Sequence, residues 1–171
     1  MDKSLHIFLR HLIHILQIKY NETLELEKKE IETGNASGLN FAYYSALDII
    51  DQLLEMPLDY SRKGLGIIVP DMIHPISIQE KLPAILKIQQ EMSISMRAYI
   101  SELIIALRDQ YNAELDSFDV QKDYRIGVYT GYYNSLKLIE ELLIKFGYST
   151  EPFGPLSGEL GKPMGTVYYK P

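Results

Sequence analysis

The chain reads FAYYSALDIIDQLLE at Phe41–Glu55 and TGYYNSLKLIEELLI at Thr130–Ile144, so one helical pattern is written twice. Each copy has two adjacent tyrosines followed by apolar residues at the spacing of one helix face. The recurring apolar residues are Leu47, Ile50, Leu53 and Leu54 in the first copy and Leu136, Ile139, Leu142 and Leu143 in the second. Self-similarity at a fixed offset reveals architecture before chemistry. We therefore interpret the chain as two related halves.

The duplication extends to the helix that precedes each copy. Tyr20-Asn21 recurs as Tyr111-Asn112, an offset of 91 positions (112 − 21), whereas the second helices are offset by 89 (132 − 43). The apolar neighbours recur as well: Leu12, Ile13, Leu16 and Leu24 match Leu103, Ile104, Leu107 and Leu115. Long amphipathic helices joined by a short connection pack as antiparallel neighbours. Each half is therefore predicted to be a helical hairpin.

The predicted fold is all-α, a bundle of two tandem antiparallel hairpins in a single domain. Residues 1–56 form the first hairpin, 57–76 an irregular Pro/Gly connection, 77–147 the second hairpin and 148–171 an extended C-terminal arm. The predicted helices run over about Ser4–Glu32, Leu39–Met56, Leu82–Asp116 and Asp123–Phe146. We expect Ser4 to cap the first helix, Gly34 to Gly38 to break the chain before the second, and Ser77–Glu80 to form a capping box for the third.

Composition excludes several classes of function. The net charge of -6 and the absence of a run of basic residues argue against nucleic-acid binding. The chain has no cysteine, which excludes a disulfide framework and a thiol nucleophile. Arg10, His11 and His14 interrupt the first apolar run, and no stretch reaches the roughly 20 apolar residues of a membrane span. We expect a cytoplasmic protein with no membrane contact.

Motifs for catalysis or cofactor binding are not apparent. His11 and His14 could share a helix face, but the chain contains no Glu-x-x-His motif, which a bundle di-metal site would need twice. Gly161-Lys162 lacks the first glycine and the Ser or Thr of a phosphate-binding loop. We therefore predict no catalytic residue, no metal and no cofactor, and the sequence favours a function other than catalysis.

Two features suggest a surface for another protein. Aromatic residues are enriched at binding hot spots, although tyrosines at matched positions also follow from repeat packing, with one of each pair in the core. Acidic residues at i, i+3 and i+7 on the second helix suit the capture of a basic partner. The candidate partner-binding residues are Tyr43, Tyr44, Asp48, Asp51, Glu55, Tyr132 and Tyr133.

Two alternatives stay open. An enzyme or small-ligand binder would need a polar pocket between the hairpins, and its candidate lining residues are His14, Tyr20, Asn21, Tyr111 and Asn112. The matched Asn residues favour that idea, because a buried amide needs hydrogen-bond partners. Alternatively, apolar helix faces could complete a larger bundle in a structural homo-oligomer.

The segments AYYSALDIIDQLLE and GYYNSLKLIEELLI resemble those of small helical proteins from Gram-positive phages and mobile elements. Those proteins include antagonists of host systems and immunity partners of polymorphic toxins. The resemblance covers about a third of the chain, and it transfers no functional residue. It implies stoichiometric binding of another protein, as an inhibitor or regulator.

Overall fold

Four α-helices make up the described part of the fold. The computed structural model describes residues 2–29, 34–55, 64–71, 73–78, 82–85, 91–116 and 122–165. The helices are α1 (Lys3–Glu27), α2 (Asn35–Glu55), α3 (Ile94–Asp116) and α4 (Lys122–Phe146), followed by a 3₁₀ turn at Glu151–Phe153. Within these ranges there is no β-strand. The predicted all-α bundle is confirmed.

The two helices of each half run antiparallel. Ser37 near the start of α2 donates a hydrogen bond to Glu27 at the end of α1, and Asn40 donates to the Tyr20 carbonyl. The second half has the same arrangement, because Arg125 near the start of α4 donates to the Glu114 carbonyl near the end of α3. Each half is thus a hairpin, as the repeated pattern predicts.

The two halves meet where α2 and α4 run parallel, and matched residues face one another there. Gly38 and its counterpart Gly127 bring the two backbones into contact. A Cβ atom added to Gly38 would lie 2.0 Å from the Tyr124 carbonyl oxygen, and one added to Gly127 would lie 2.2 Å from that of Asn35. The reciprocal contacts show that a pseudo-twofold axis relates the halves, and only glycine permits this approach.

A pair of reciprocal hydrogen bonds continues this interface. The Tyr132 hydroxyl donates to Ser45 Oγ at 2.9 Å, and Asn134 Nδ2 donates to the Tyr43 hydroxyl at 3.2 Å. Tyr43 matches Tyr132 and Ser45 matches Asn134, so each tyrosine contacts the polar residue of the opposite half. Buried hydroxyl groups are thereby satisfied on both sides of the axis.

The core lies among all four helices. The apolar residues that recur at helical spacing along α1 form its inner face and are all buried: Leu5, Phe8, Leu9, Leu12, Ile13, Leu16, Tyr20 and Leu24. At the end of the bundle where α1 begins, Phe8 packs edge-on against Phe146 of α4, with ring centroids 5.6 Å apart. This arrangement is one of the geometries that aromatic pairs favour. The helical periodicity of α1 therefore identified its packed face correctly.

Several predicted boundaries were wrong. Asp2 caps α1 by accepting a hydrogen bond from the Ser4 amide at 2.7 Å, so Ser4 is inside the first turn. The first helix ends at Glu27, earlier than predicted. The second begins at Asn35 instead of Leu39, because Gly38 serves the contact with α4 and does not end a helix.

The third helix begins at Ile94 and not near Leu82. Residues 82–85 and 91–93 are not helical, and Ser93 Oγ accepts a hydrogen bond from the Met96 amide at 3.2 Å. Ser93 therefore caps α3, and the predicted capping box at Ser77–Glu80 extends into residues 79–80, which lie outside the described residues. By contrast α4 ends at Phe146 as predicted, where Gly147 takes a left-handed conformation with φ of 83°.

Candidate functional site

Each hairpin is followed by a segment without α-helix that lies on the first helix of its own half. We call residues 64–71 with 73–78 the first arm and residues 147–165 the second arm. The first arm buries Leu65 and Ile68, and the second buries Phe153 and Leu156. The tail that follows α4 is thus a docked arm over this range, whereas Val167, Tyr168 and Tyr169 lie outside the described residues.

The two arms are copies of each other at an offset of 88 positions (164 − 76). LGIIVPDMIHPI, at 65–76, aligns without a gap with FGPLSGELGKPM, at 153–164. Gly66 and Gly154 both have positive φ, at 76° and 64°. Both arms then form the same turn, in which the amide of His74 or Lys162 donates 3.1 Å to the carbonyl three residues earlier. The repeated unit is therefore helix, helix and arm.

A pair of matched asparagines holds the two arms. Asn21 Nδ2 donates to the Ile76 carbonyl and Asn21 Oδ1 accepts from the Ile76 amide, both at 2.9 Å. Asn112 makes the same two bonds to Met164, again at 2.9 Å. Each amide side chain thus satisfies both backbone groups of one arm residue, as a neighbouring strand would.

The tyrosine before each asparagine adds a second contact. The Tyr20 hydroxyl donates to the Asp71 carbonyl at 3.4 Å, and the Tyr111 hydroxyl donates to the Lys162 carbonyl at 3.2 Å. Tyr111 also accepts from the Gly161 amide at 2.9 Å. Burial raises the pKa of both tyrosines above the usual range, so both hydroxyls stay protonated as donors. We call each Tyr-Asn pair a clamp.

A third matched position differs in charge between the halves. Gln17 Nε2 donates to the Ile67 and Ile68 carbonyls at 2.8 and 3.2 Å. Its counterpart Arg108 donates through Nη2 to the Phe153 and Pro155 carbonyls. Arg108 is 3% exposed, and its Nε and Nη1 have no hydrogen-bond partner among the described residues. Burial lowers the pKa of this guanidinium.

The two clamps bind separate arms. The side-chain hydrogen bonds described for Tyr20 and Asn21 go to the first arm, and those of Tyr111 and Asn112 go to the second. His14 lines a separate cleft between α1 and the first arm. Sequence reasoning noticed the matched Tyr-Asn pairs but missed what they bind. The sequence signal that could have identified these partners is the similarity of residues 65–76 to residues 153–164.

The tyrosines of the predicted partner surface divide into two pairs. Tyr43 and Tyr132 are buried at the α2–α4 interface, at 4% and 1% exposure, so they present no surface to a partner in this conformation. Tyr44 and Tyr133 are half-buried beside the clamps, with ring centroids 6.5 and 6.4 Å from Tyr20 and Tyr111. Tyr133 also donates to the Gly158 carbonyl of the second arm. Tyr133 therefore helps to hold the second arm in place, and Tyr44 packs beside the clamp of the first half.

The acidic residues of α2 lie nearer to solvent. Glu55 is exposed, Asp48 and Asp51 are half-buried, and Asp48 accepts a hydrogen bond from Gln52 at 2.6 Å. Phe41, at the start of the same stripe, is 38% exposed. We call Phe41, Asp48, Gln52 and Glu55 the outer face of α2. Asp48 and Glu55 of this face belong to the predicted partner surface, Phe41 and Gln52 were not predicted, and a partner could reach all four.

The histidines near the start of α1 have separate surroundings. His11 Nε2 lies 2.9 Å from the Pro83 carbonyl oxygen, and the ring packs edge-on against Phe146 at 5.4 Å. His14, one turn further along α1, lines the cleft with the first arm. In the described part of the chain, His, Asp and Glu side chains nowhere gather in the threes that a metal site needs. Nor is any described helix long and apolar enough to cross a membrane.

Comparison of the chain with protein-family models, with curated proteins and with solved structures found no match. The function must therefore be argued from the chemistry of the molecule's own surfaces and clefts.

Proposed function

We propose that the chain is a stoichiometric protein-binding inhibitor or regulator, of the kind found among immunity partners and phage or mobile-element antagonists. Its partner would be a basic protein of the cytoplasm, docked on the outer face of α2. One observation carries this proposal: over 21 residues, α2 contains three carboxylates and no Lys, Arg or His. A helix face of one charge sign attracts the opposite sign and speeds association.

Comparison of the two halves supports a special role for this face. Lys137 on α4 stands at the position of Asp48, and Ile144 stands at that of Glu55. The two helices pack in the core in matched ways, so the fold itself does not require acidic residues on α2. Residues that differ between otherwise matched helices are the ones available for recognition.

The outer face of α2 combines charge with an aromatic anchor. Phe41 packs beside Tyr124 of α4, with ring centroids 6.4 Å apart, and keeps part of its ring in solvent. Partly exposed aromatic side chains next to charged residues are typical of binding hot spots and their rims. Such a surface would offer a partner one apolar contact flanked by carboxylates.

The test is affinity capture from the native host followed by a measured affinity for the recovered protein. We expect one basic protein at near-stoichiometric ratio. The variant Asp48→Asn/Glu55→Gln should then weaken binding by about tenfold or more, chiefly through slower association at low salt. Glu141→Gln on α4 is the matched control, an exposed carboxylate of the other half. Failure to recover a partner, or equal affinities for all variants, would contradict the proposal.

Self-association is a second candidate function. Ile94 and Ile144 are 88% and 62% exposed, at the end of the bundle where α3 begins and α4 ends. Large exposed apolar side chains at one end of a bundle suit an interface. Light scattering over a range of concentrations would show a dimer that Ile94→Ser/Ile144→Ser converts to a monomer. A concentration-independent monomer would exclude this candidate.

A further inference from the structure

A cleft of about 310 Å³ opens between α1 and the first arm. Sites for small molecules occupy roughly 300–1,000 Å³, so this cleft suits a compact ligand. The described residues that line it are Arg10, Ile13, His14, Gln17, Leu65, Gly66, Ile67, Ser77 and Leu82. It is separate from the outer face of α2 on which the proposed function rests.

The polar lining of the cleft favours negative charge. Arg10, His14 and Ser77 have side-chain donors, whereas the Nε2 donor of Gln17 is already bonded to the Ile67 and Ile68 carbonyls. No described lining residue is acidic. This is unusual in a chain of net charge -6. His14 Nδ1 is buried and has no hydrogen-bond partner among the described residues. A buried ring nitrogen without a partner is costly, and a ligand that pairs with it would remove that cost.

The opposite wall of the cleft is apolar and held in place. Leu65, which lines it, is buried. Gln17 fixes the first arm by donating to the Ile67 and Ile68 carbonyls, and Asn21 fixes it further along at Ile76. The wall is therefore formed before any ligand arrives, which reduces the entropy lost on binding.

The second half shows that the fold does not require this lining. Ser101, Ile105 and Arg108 occupy the positions that match Arg10, His14 and Gln17. The clamps, by contrast, are identical in the two halves, as Tyr20-Asn21 and Tyr111-Asn112. The scaffold is thus repeated while the polar lining of the cleft is particular to the first half.

We propose that this cleft binds a small organic anion, a carboxylate or phosphate carried on a compact apolar body. The anionic group would lie among Arg10, His14 and Ser77, and the body would pack against Ile13 and Leu65. Charge-assisted hydrogen bonds from Arg10 would supply most of the selectivity for anionic over neutral ligands.

Calorimetry with the full chain tests the charge requirement. The probes are benzoate and phenyl phosphate, with benzamide as the neutral analogue of benzoate. We expect at least one of the two anions to bind. Benzamide should bind at least about tenfold more weakly, because it has no negative charge to pair with Arg10. Absence of binding by both anions at millimolar concentration, or equal binding of benzamide, would overturn the proposal.

Variants then test the location. Arg10→Gln and His14→Ile, the latter copying Ile105, should each weaken anion binding by about tenfold. Ser77→Phe should block the cleft from an exposed position on the arm. Denaturation curves will show that each variant folds. Arg97→Gln is the control, because Arg97 lines another cleft, of about 390 Å³, near Tyr148 and Pro152. Loss of binding in Arg97→Gln alone would place the anion there and refute the assignment.

A nuclear magnetic resonance measurement tests the binding location in the unmodified chain, so the result does not depend on whether a variant folds. The chain has four histidines, and the His14→Ile spectrum assigns the His14 imidazole among them. In the unmodified chain, benzoate or phenyl phosphate should shift the His14 ring signals more than those of His74, which is exposed. Saturable binding that leaves the His14 signals unmoved would contradict the proposal.

Discussion

Asn21 and Asn112 occupy matched positions on α1 and α3, and each closes two 2.9 Å hydrogen bonds on the backbone of one arm residue. The partners, Ile76 and Met164, are themselves matched at the offset of the arms. Two helices and an arm therefore form one folding unit that occurs twice. The clamp is the polar element that joins the arm to its hairpin.

We expect Asn21→Ala and Asn112→Ala to destabilise the protein equally. Each removes two hydrogen bonds and leaves a backbone amide and carbonyl without partners, so the free energy of unfolding should fall by roughly 1–3 kcal/mol. Urea denaturation measures this, and hydrogen exchange at the Met164 amide should quicken in Asn112→Ala. Gln110→Ala, an exposed amide on the same helix, is the control. A loss no greater than that of the control would show that the clamp contributes nothing.

The glycines at the α2–α4 contact should tolerate no side chain. In Gly38→Ala the new Cβ would meet the Tyr124 carbonyl at 2.0 Å, and in Gly127→Ala it would meet that of Asn35 at 2.2 Å. Because both obstacles are backbone atoms, we expect losses of about 3 kcal/mol or more, or failure to fold. A Cβ at Gly158 meets nothing within 4 Å, so Gly158→Ala should stay within about 0.5 kcal/mol. Thermal denaturation of the three variants decides the matter.

Ile73 has a left-handed backbone conformation, and the matched residue of the second arm is Gly161. Its φ is 67°, against 85° for Gly161, and its side chain is 75% exposed. A left-handed conformation costs a non-glycine residue roughly 1–2 kcal/mol, more than the entropy that glycine loses on folding. Ile73→Gly should therefore raise the free energy of unfolding by about 0.5–1 kcal/mol. A decrease on urea denaturation would show that the exposed side chain makes a compensating contact.

Arg108 is a buried cation where the first half has a neutral amide. No described carboxylate pairs with it, and an unpaired buried charge is unfavourable. Arg108→Gln, which copies Gln17, should leave the free energy of unfolding equal to or above that of the unmodified chain. Arg108→Ala should lower it by about 1–3 kcal/mol, because the Phe153 and Pro155 carbonyls lose their donor. An equally large loss in Arg108→Gln would reveal that the positive charge itself is needed.

Acidification should destabilise the protein through His11. Burial lowers the pKa of His11, and although the Pro83 carbonyl opposes this, the positive charges of Lys145, His14 and Arg10 add to it. Since the unfolded-state pKa is about 6.5 and the folded-state value is lower, the unfolded chain binds protons first as pH falls. Stability should therefore begin to decline as the pH falls through about 6.5, the unfolded-state pKa of histidine.

His11→Gln should reduce that decline, because the substituted side chain does not titrate. The free energy of unfolding measured by urea at each pH provides the comparison. His74→Gln, at an exposed position, is the control. Some dependence should survive in His11→Gln, since burial and the charge on Arg10 also lower the pKa of His6. Parallel curves for His11→Gln and the unmodified chain would exclude His11 as the cause.

The sequence predicted those features that depend on local periodicity. The buried face of α1 and the end of α4 at Phe146 followed from apolar spacing and from Gly147. The start of α3 did not, because Ile85 and Met92 fit a helical spacing and pack against the core although neither is helical. Periodicity reports burial, and a non-helical segment laid on a bundle can meet the same requirement.

Other features depend on contacts between distant parts of the chain. We predicted that Gly38 would help to break the chain before the second helix. It lies inside α2 instead, because α4 approaches its backbone closely there. The repeat of the arms is present in the sequence, but it is weak. The two aligned segments are identical only at Gly66/Gly154 and Pro75/Pro163. The asparagines were expected to need polar partners, and the partners proved to be backbone groups of the arms.

The reciprocal contact of α2 with α4 has the geometry of a symmetric homodimer, in which each surface meets its own copy. In a true homodimer every substitution appears in both subunits. A residue that suits a ligand site in one subunit is therefore present at the same position of the other subunit as well. Linking the two copies in one polypeptide removes that constraint. His14 can face a cleft while Ile105 stands in its place across the axis, and α2 can be acidic while α4 is not. Covalent linkage thus lets a symmetric scaffold carry asymmetric chemistry.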